Sequence, residues 1–293
     1  MIRHSAVKTI ANAGMIASLS GIAWLTAAHA AQPQVAAPAV TWGVEAGAGE
    51  CTLTGSIPGP APATLTLQTV TGTDSYRLVL AGKTVPAPRV QQLFPVTLVF
   101  GPDSRFERKA RSTRLGGELG NAIIVSGLGP NVVAAFAASS SIAIDGKSVT
   151  GPFALSHARA AAKALASCVR DQLVEFGADP AQFEPGGKTP VALIPRDDWL
   201  SNADTRRMLP GDGAIDAAFR VSVAPDGSVD DCAAVTGRVS PNAEKIACDA
   251  VRTRRLFTPA SDSAGKPVRG VAMFEIHMRA ETRVTSETLE SIR

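Results

Sequence analysis

Along most of the first half of the chain, apolar and polar residues alternate with a period of two, the spacing of half-buried β-strands. Residues 64–70, T-L-T-L-Q-T-V, show it most cleanly, and residues 51–57 repeat it. Further β-branched or alternating runs fall at 40–46, 76–80, 95–100, 121–125 and 141–145. Turn residues separate them: Pro58-Gly59-Pro60, Ala81-Gly82-Lys83, Gly101-Pro102-Asp103-Ser104, Gly116-Gly117 and Asp145-Gly146-Lys147. The period becomes helical briefly at 131–138 and fully at 156–176, SHARAAAKALASCVRDQLVEF. There Leu165, Cys168, Val169 and Leu173 share one face; Ser156 is the expected N-cap and Gly177 the C-cap. Residues 41–176 therefore read as a β-rich domain closed by a C-terminal helix.

Residues 177–195 hold four Pro and three Gly and read as a linker. A second domain follows over 196–283, with a polar, frayed tail at 284–293. Residues 219–223 alternate as one strand, Ala224-Pro225-Asp226-Gly227 turns the chain, and 229–235 form the return strand. Ser240-Pro241 is a strong helix start. Ile246, Ala247, Ala250 and Val251 make its apolar stripe, with Cys248 beside it. Arg252, Arg254 and Arg255 sit at its C-terminal end, where cations suit the helix dipole. A last strand over 266–278 carries Val268, Val271, Met273 and Ile276. The fold class is α+β: the β-rich domain, then a small module of one helix on a three-stranded antiparallel sheet.

The order strand, Pro-Asp-Gly turn, strand, capped helix and Phe-Thr-Pro-Ala resembles the C-terminal domain of TonB-type energy transducers. Val221, Val223, Pro225, Asp226, Gly227, Val229, Cys232, Ser240, Pro241, Cys248, Phe257, Pro259, Ala260, Gly265, Pro267 and Val268 carry the likeness. It covers about a third of the chain, residues 196–283. Such domains carry no catalytic residues and take a partner's extended peptide onto an edge strand, main-chain hydrogen bonds supplying affinity. The resemblance implies partner contact on the last strand, at Gly270, Val271, Ala272, Met273, Phe274, Glu275 and Ile276 and on to Met278, and on the segment before the hairpin. It implies an outer-membrane TonB-dependent receptor or another envelope protein as partner.

The N-terminus sets the compartment. Arg3, His4 and Lys8 precede an apolar run and then Ala28-His29-Ala30, the small-residue pattern of a cleavage site. Residues 1–30 read as a signal peptide and 31–40, AQPQVAAPAV, as a disordered leader, which predicts a periplasmic protein with no membrane span after cleavage; the alternative is the same apolar run retained as an inner-membrane anchor. Loss of Arg3 and Lys8, with no acid lost, lowers the net charge from +3 to +1, too near neutral for nucleic acid as a partner. No long Pro-rich spacer is present, so an accessory or adaptor role fits better than force transmission. The alternative is an envelope ligand-binding or structural protein whose C-terminal module mediates self-association as a homodimer.

Four cysteines in an exported chain predict disulfides and allow three pairings. The domain reading favours Cys51–Cys168 and Cys232–Cys248, one bridge in each domain. No CxxC pair exists, and beyond the leader only His157 and His277 remain, so neither metal nor cofactor is expected. An enzyme is not expected either. Ser139-Ser140-Ser141 lacks a nucleophile elbow, and Gly127-Leu128-Gly129-Pro130 lacks the Lys-Ser/Thr of a phosphate loop. Asp197, Asp198 and Asp204 read as solvated carboxylates. Trp42 and Trp199, each opening a domain, read as edge-packing residues. Arg105, Arg108, Lys109, Arg111 and Arg114 crowd ten residues and read as a solvated strand edge that resists aggregation.

Overall fold

The computed structural model describes residues 39–86, 93–146, 150–208, 214–252 and 254–279. The expected signal peptide at 1–30 and the tail at 284–293 lie outside the described residues. Both lobes described below belong to one compact unit.

The alternating half of the chain builds an antiparallel sheet from β1 (Thr41–Gly47), β2 (Glu50–Ile57), β3 (Ala63–Val70), β4 (Tyr76–Gly82), β5 (Phe94–Phe100), β6 (Ser104–Gly116) and β7 (Gly120–Leu128). After α1 (Pro130–Ala138) come β8 (Ser141–Asp145) and β9 (Thr150–Ala154), then α2 (Ala158–Glu175). The strand order is β1-β2-β3-β4-β7-β6-β5-β8-β9. Period two buries every second side chain: Leu53, Leu65, Leu67, Leu78, Leu80, Leu98 and Val125 form a core with Val132 and Phe136 of α1 and Ala161 and Leu165 of α2. Cys51 and Cys168 are bonded, fixing α2 to β2. The buried Gln172 of α2 donates to Gly47 O (2.5 Å) and Glu50 O (3.3 Å) and accepts from the Thr71 hydroxyl.

Three sequence expectations change in this lobe. Ser156 does not cap α2: its hydroxyl accepts from Val40 N–H (2.7 Å) and its carbonyl from Trp42 Nε1–H (2.8 Å), so it is tied to the first strand. The helix begins two residues later, behind a left-handed His157 with no side-chain cap. The basic cluster lies on β6, which is a central strand and not an edge. Its inward Phe106, Ala110 and Ser112 pack, while Arg105, Lys109 and Arg111 face solvent, so charge masks an ordinary strand alternation. Arg105 pairs with Asp145 (2.9 Å), and the Arg108 guanidinium lies 5.8 Å from the Phe106 ring centroid.

Beyond α2 the chain packs along the second lobe. Asp179 N–H donates to Arg269 O (2.9 Å), Lys188 bridges Ser261, and β10 (Val191–Ala192) will pair with a later strand. The helix α3 (Asn202–Met208), unforeseen in the sequence, is opened by a Ser201–Asp204 box, with Ser201 Oγ donating to Asp204 (2.6 Å) and accepting from its N–H (3.1 Å). Then come β11 (Ala214–Val223), β12 (Val229–Arg238), α4 (Pro241–Val251), β13 (Phe257–Thr258), β14 (Ala260–Ser261), β15 (Pro267–Val268) and β16 (Gly270–Arg279). The strands β12-β11-β16 form a three-stranded antiparallel sheet, β10 pairs with β13, and β14 with β15.

Asp226 shapes the β11–β12 turn by accepting from Ser228 N–H (3.0 Å) and Oγ–H (2.6 Å). Ser240 caps α4 through Ala243 N–H (3.1 Å), as the sequence predicts, and Cys232 is bonded to Cys248. Phe219 and Phe274 stack across adjacent strands with centroids 4.9 Å apart, and Trp199 packs edge-on against Phe274 (5.5 Å) and Phe257 (5.2 Å). Trp199 is therefore a core residue of this lobe, 2% exposed.

Candidate functional site

A three-stranded sheet has two edges, and here they are finished differently. On β12, Ala234 N–H donates to Glu244 Oε1 (2.8 Å) and Cys232 O accepts from Arg252 Nη2–H (3.0 Å). Both partners come from the C-capped helix α4 and its C-cap residue, so this edge is plugged by side chains. Such plugging removes the unpaired main-chain groups that attract another strand.

The same hydrogen bonds settle the parity of the sheet. Outward groups at Cys232 and Ala234 turn those of Ala233 toward Arg220, its partner in register. Val221 and Phe219 then face Ala272 and Phe274 on β16. Val271, Met273, Glu275 and His277 thus present their N–H and C=O to the free edge. Among the described residues, no side chain hydrogen-bonds to that edge.

Side chains divide the strand the same way. Ala272, Phe274 and Ile276 belong to the core under α4. Val271 packs on Leu173 and Ala178 of the first lobe. Met273 is fully buried beside the β3–β4 turn, where Gly72 has φ +78° and a side chain would run into Leu173 and Met273. Gly270 is pressed against Pro190 and Ala260, with no room for a side chain. Arg220 secures this contact, donating to Phe176 O (3.0 Å) and pairing with Asp231 (2.8 Å). The residues expected on the sequence to meet a partner therefore split. Gly270 to Phe274 and Ile276 are buried, while Glu275 and Met278 are half-buried and His277 is exposed. Of the segment before the hairpin, residues 209–213 lie outside the described residues.

The open part of β16 borders a cleft of about 620 Å³ between the lobes. Glu275 and His277, with Asp216 of β11, form one wall; Glu50, Gln68, Tyr76 and Arg77, from three neighbouring strands, form the other. His277 Nδ1 lies 2.9 Å from Asp216 and its Nε2 3.4 Å from Glu275. Gln68 links the opposite wall, donating to Glu50 (2.6 Å) and accepting from Arg77 (3.4 Å). Burial, reinforced by the Asp74 carboxylate, pushes the Tyr76 phenol above its usual range, so it stands in the cleft as a neutral hydroxyl. Among the described residues no group of three or more His, Cys, Asp or Glu is placed to hold a metal ion. The cleft offers hydrogen bonding and charge.

Sequence reasoning reached β16 through its resemblance and missed the cleft, whose two walls lie well over a hundred residues apart. It also missed the plugs. Glu244 reads locally as an acid in the first turn of a helix, and nothing nearby in sequence announces that it reaches β12. Among the described residues no helix is long and apolar enough to cross a membrane. No protein-family model, curated protein or solved structure matches the chain.

Proposed function

We propose that this is a non-enzymatic interaction protein of the cell envelope that takes an extended partner segment onto the open edge of β16, at residues 275–278. The carrying observation is the asymmetry of the sheet: Glu244 and Arg252 plug β12, while β16 keeps its outward groups at Glu275 and His277. A strand added there gains main-chain hydrogen bonds without displacing any of the chain's own. The TonB-like residue pattern supports an outer-membrane receptor or another envelope protein as partner. Two closed disulfides suit an oxidising compartment, in keeping with the periplasm.

The first lobe covers the start of β16, so the accessible stretch is short and the contact is expected to be weak and reversible. An adaptor would use such a contact; a stable assembly would need more buried area. Site-specific photo-crosslinking from position 278 in cells, with mass-spectrometric identification of the adduct, tests the reading. Adducts to an envelope protein are expected. Adducts only to other copies of the chain would overturn it in favour of self-association.

A further inference from the structure

We infer that the first lobe is a displaceable cover on β16, and that the docking edge runs back to Val271 once the lobe lifts away. This rests on the edge reading above and sets how long a segment the edge can take. By the parity of the sheet, Val271 and Met273 turn their N–H and C=O to the same side as Glu275 and His277. Val271 is 3% exposed and Met273 0%, so both are shut off from solvent. Met273 N faces the β3–β4 turn, where a side chain at Gly72 would come within 3.5 Å of it. Among the described residues, nothing hydrogen-bonds to the outward main-chain groups of either residue. Folded chains seldom leave buried main-chain groups without partners. The lobe therefore shields this half of the edge without satisfying it, whereas an added strand would do both.

The cover is lightly held. Leu173, Ala178 and Val271 make a small apolar cluster separate from the cores of the two lobes. Beside it, Arg220 Nη1–H donates to Phe176 O (3.0 Å). The described chain crosses between the lobes once, at Gly177, which has φ +100° just past α2. Beyond that crossing, Asp179 N–H holds Arg269 O (2.9 Å), so the chain itself takes the position before Val271. Each lobe has its own core and its own disulfide, and parting them leaves both intact. Contacts between domains resist relative motion when they are large and hydrophobic, and this one is neither. A partner segment is thus caught at Glu275 to Met278 and lengthens its pairing toward Val271 by displacing the cover.

The test uses the full chain and two labelled peptides of alternating Thr and Gln, followed by fluorescence anisotropy. The short peptide matches Glu275 to Met278 in length, and the long one reaches back to Val271. Leu173→Ala, on the cover, and Arg220→Ala, which gives up Phe176 O, should each tighten the long peptide about tenfold and leave the short one within about twofold. Hydrogen exchange should show Val271 and Met273 slowed by the long peptide and not by the short one. Urea unfolding checks that both variants are folded. Binding of both peptides that neither variant changes, or that both variants change alike, keeps the edge and overturns the cover. If neither peptide binds any form, the edge reading fails and exchange in the free protein decides the cover. It stands if Leu173→Ala speeds Val271 and Met273 while Ala272 and Phe274 stay slow, and it falls if all four exchange together.

Discussion

The carboxylate of Glu244, on helix α4, accepts a hydrogen bond from the main-chain N–H of Ala234 at 2.8 Å, closing the β12 edge of the second sheet. Arg252 does the same for Cys232 O two residues away. One helix thus supplies both the acceptor and the donor that a neighbouring strand would otherwise provide. On β16, among the described residues, no side chain does the same.

Removing the plug should convert β12 into a second docking edge. Glu244→Ala combined with Arg252→Ala is expected to cost about 1 kcal/mol in urea unfolding, because the freed groups are only partly buried. It should also produce concentration-dependent self-association in sedimentation velocity. Glu244→Gln keeps an acceptor at the same place and should restore the monomeric behaviour of that position.

Tyr76 is the chain's one tyrosine, so its ionisation can be followed alone by tyrosinate absorbance. Burial first, and Asp74 second, raise its pKa above the ordinary value of 10.0. A folded pKa above the unfolded one means the native state binds the phenolic proton more tightly. The associated stability is complete below about pH 10 and is lost as pH rises through the folded value. Titration of the native protein should give a midpoint above that of the urea-unfolded chain. A native midpoint at or below the unfolded one would show that the phenol is not desolvated in the cleft.

What the sequence disclosed follows the range of the forces involved. Alternation at Thr64 to Val70 and the Ser240-Pro241 cap are local, and both elements appear where the pattern puts them. The central place of β6 is hidden because Arg105, Lys109 and Arg111 occupy its outward positions and overwhelm the weak inward signal of Phe106, Ala110 and Ser112, so the cluster reads as a strand edge. Ser156 looks like a cap because capping residues are recognised by type, yet its hydroxyl is taken by Val40, 116 residues away. The edge strand was legible through a residue pattern. The covering of its first half by Gly72, Leu173 and Pro190 was not, because it depends on how two lobes meet.

Gln172 tests how tightly the first lobe is knitted near that meeting point. Its amide joins α2 to the β1–β2 turn through Gly47 O and to the β3–β4 turn through Thr71. Gln172→Leu preserves volume roughly but leaves those groups without partners in a site only 7% exposed. A loss of about 2–4 kcal/mol in denaturant unfolding is expected, since each orphaned buried group costs about 1–3 kcal/mol. A loss under about 0.5 kcal/mol would mean water takes over both contacts. Because the β3–β4 turn carries Gly72, the variant should also loosen the cover over Met273.

Amide hydrogen exchange reads the edge directly. Ala272, Phe274 and Ile276 point their N–H groups at β11 and should be the slowest-exchanging amides of β16, approaching the global stability of the lobe. Glu275 and His277 point theirs outward at the free edge and should exchange orders of magnitude faster, giving an alternating profile along the strand's second half. Val271 and Met273 also point outward but lie beneath the first lobe, so packing alone should hold them at intermediate protection. Arg220→Ala removes the hydrogen bond to Phe176 O that ties the lobes together there, along with the pair to Asp231 of the neighbouring strand that steadies the guanidinium. Exchange at Val271 and Met273 should then accelerate toward that of His277, while Ala272 and Phe274 change little. Uniform protection from Val271 to His277 in the unmodified protein would mean that the whole edge is already paired, leaving no strand for a partner to extend.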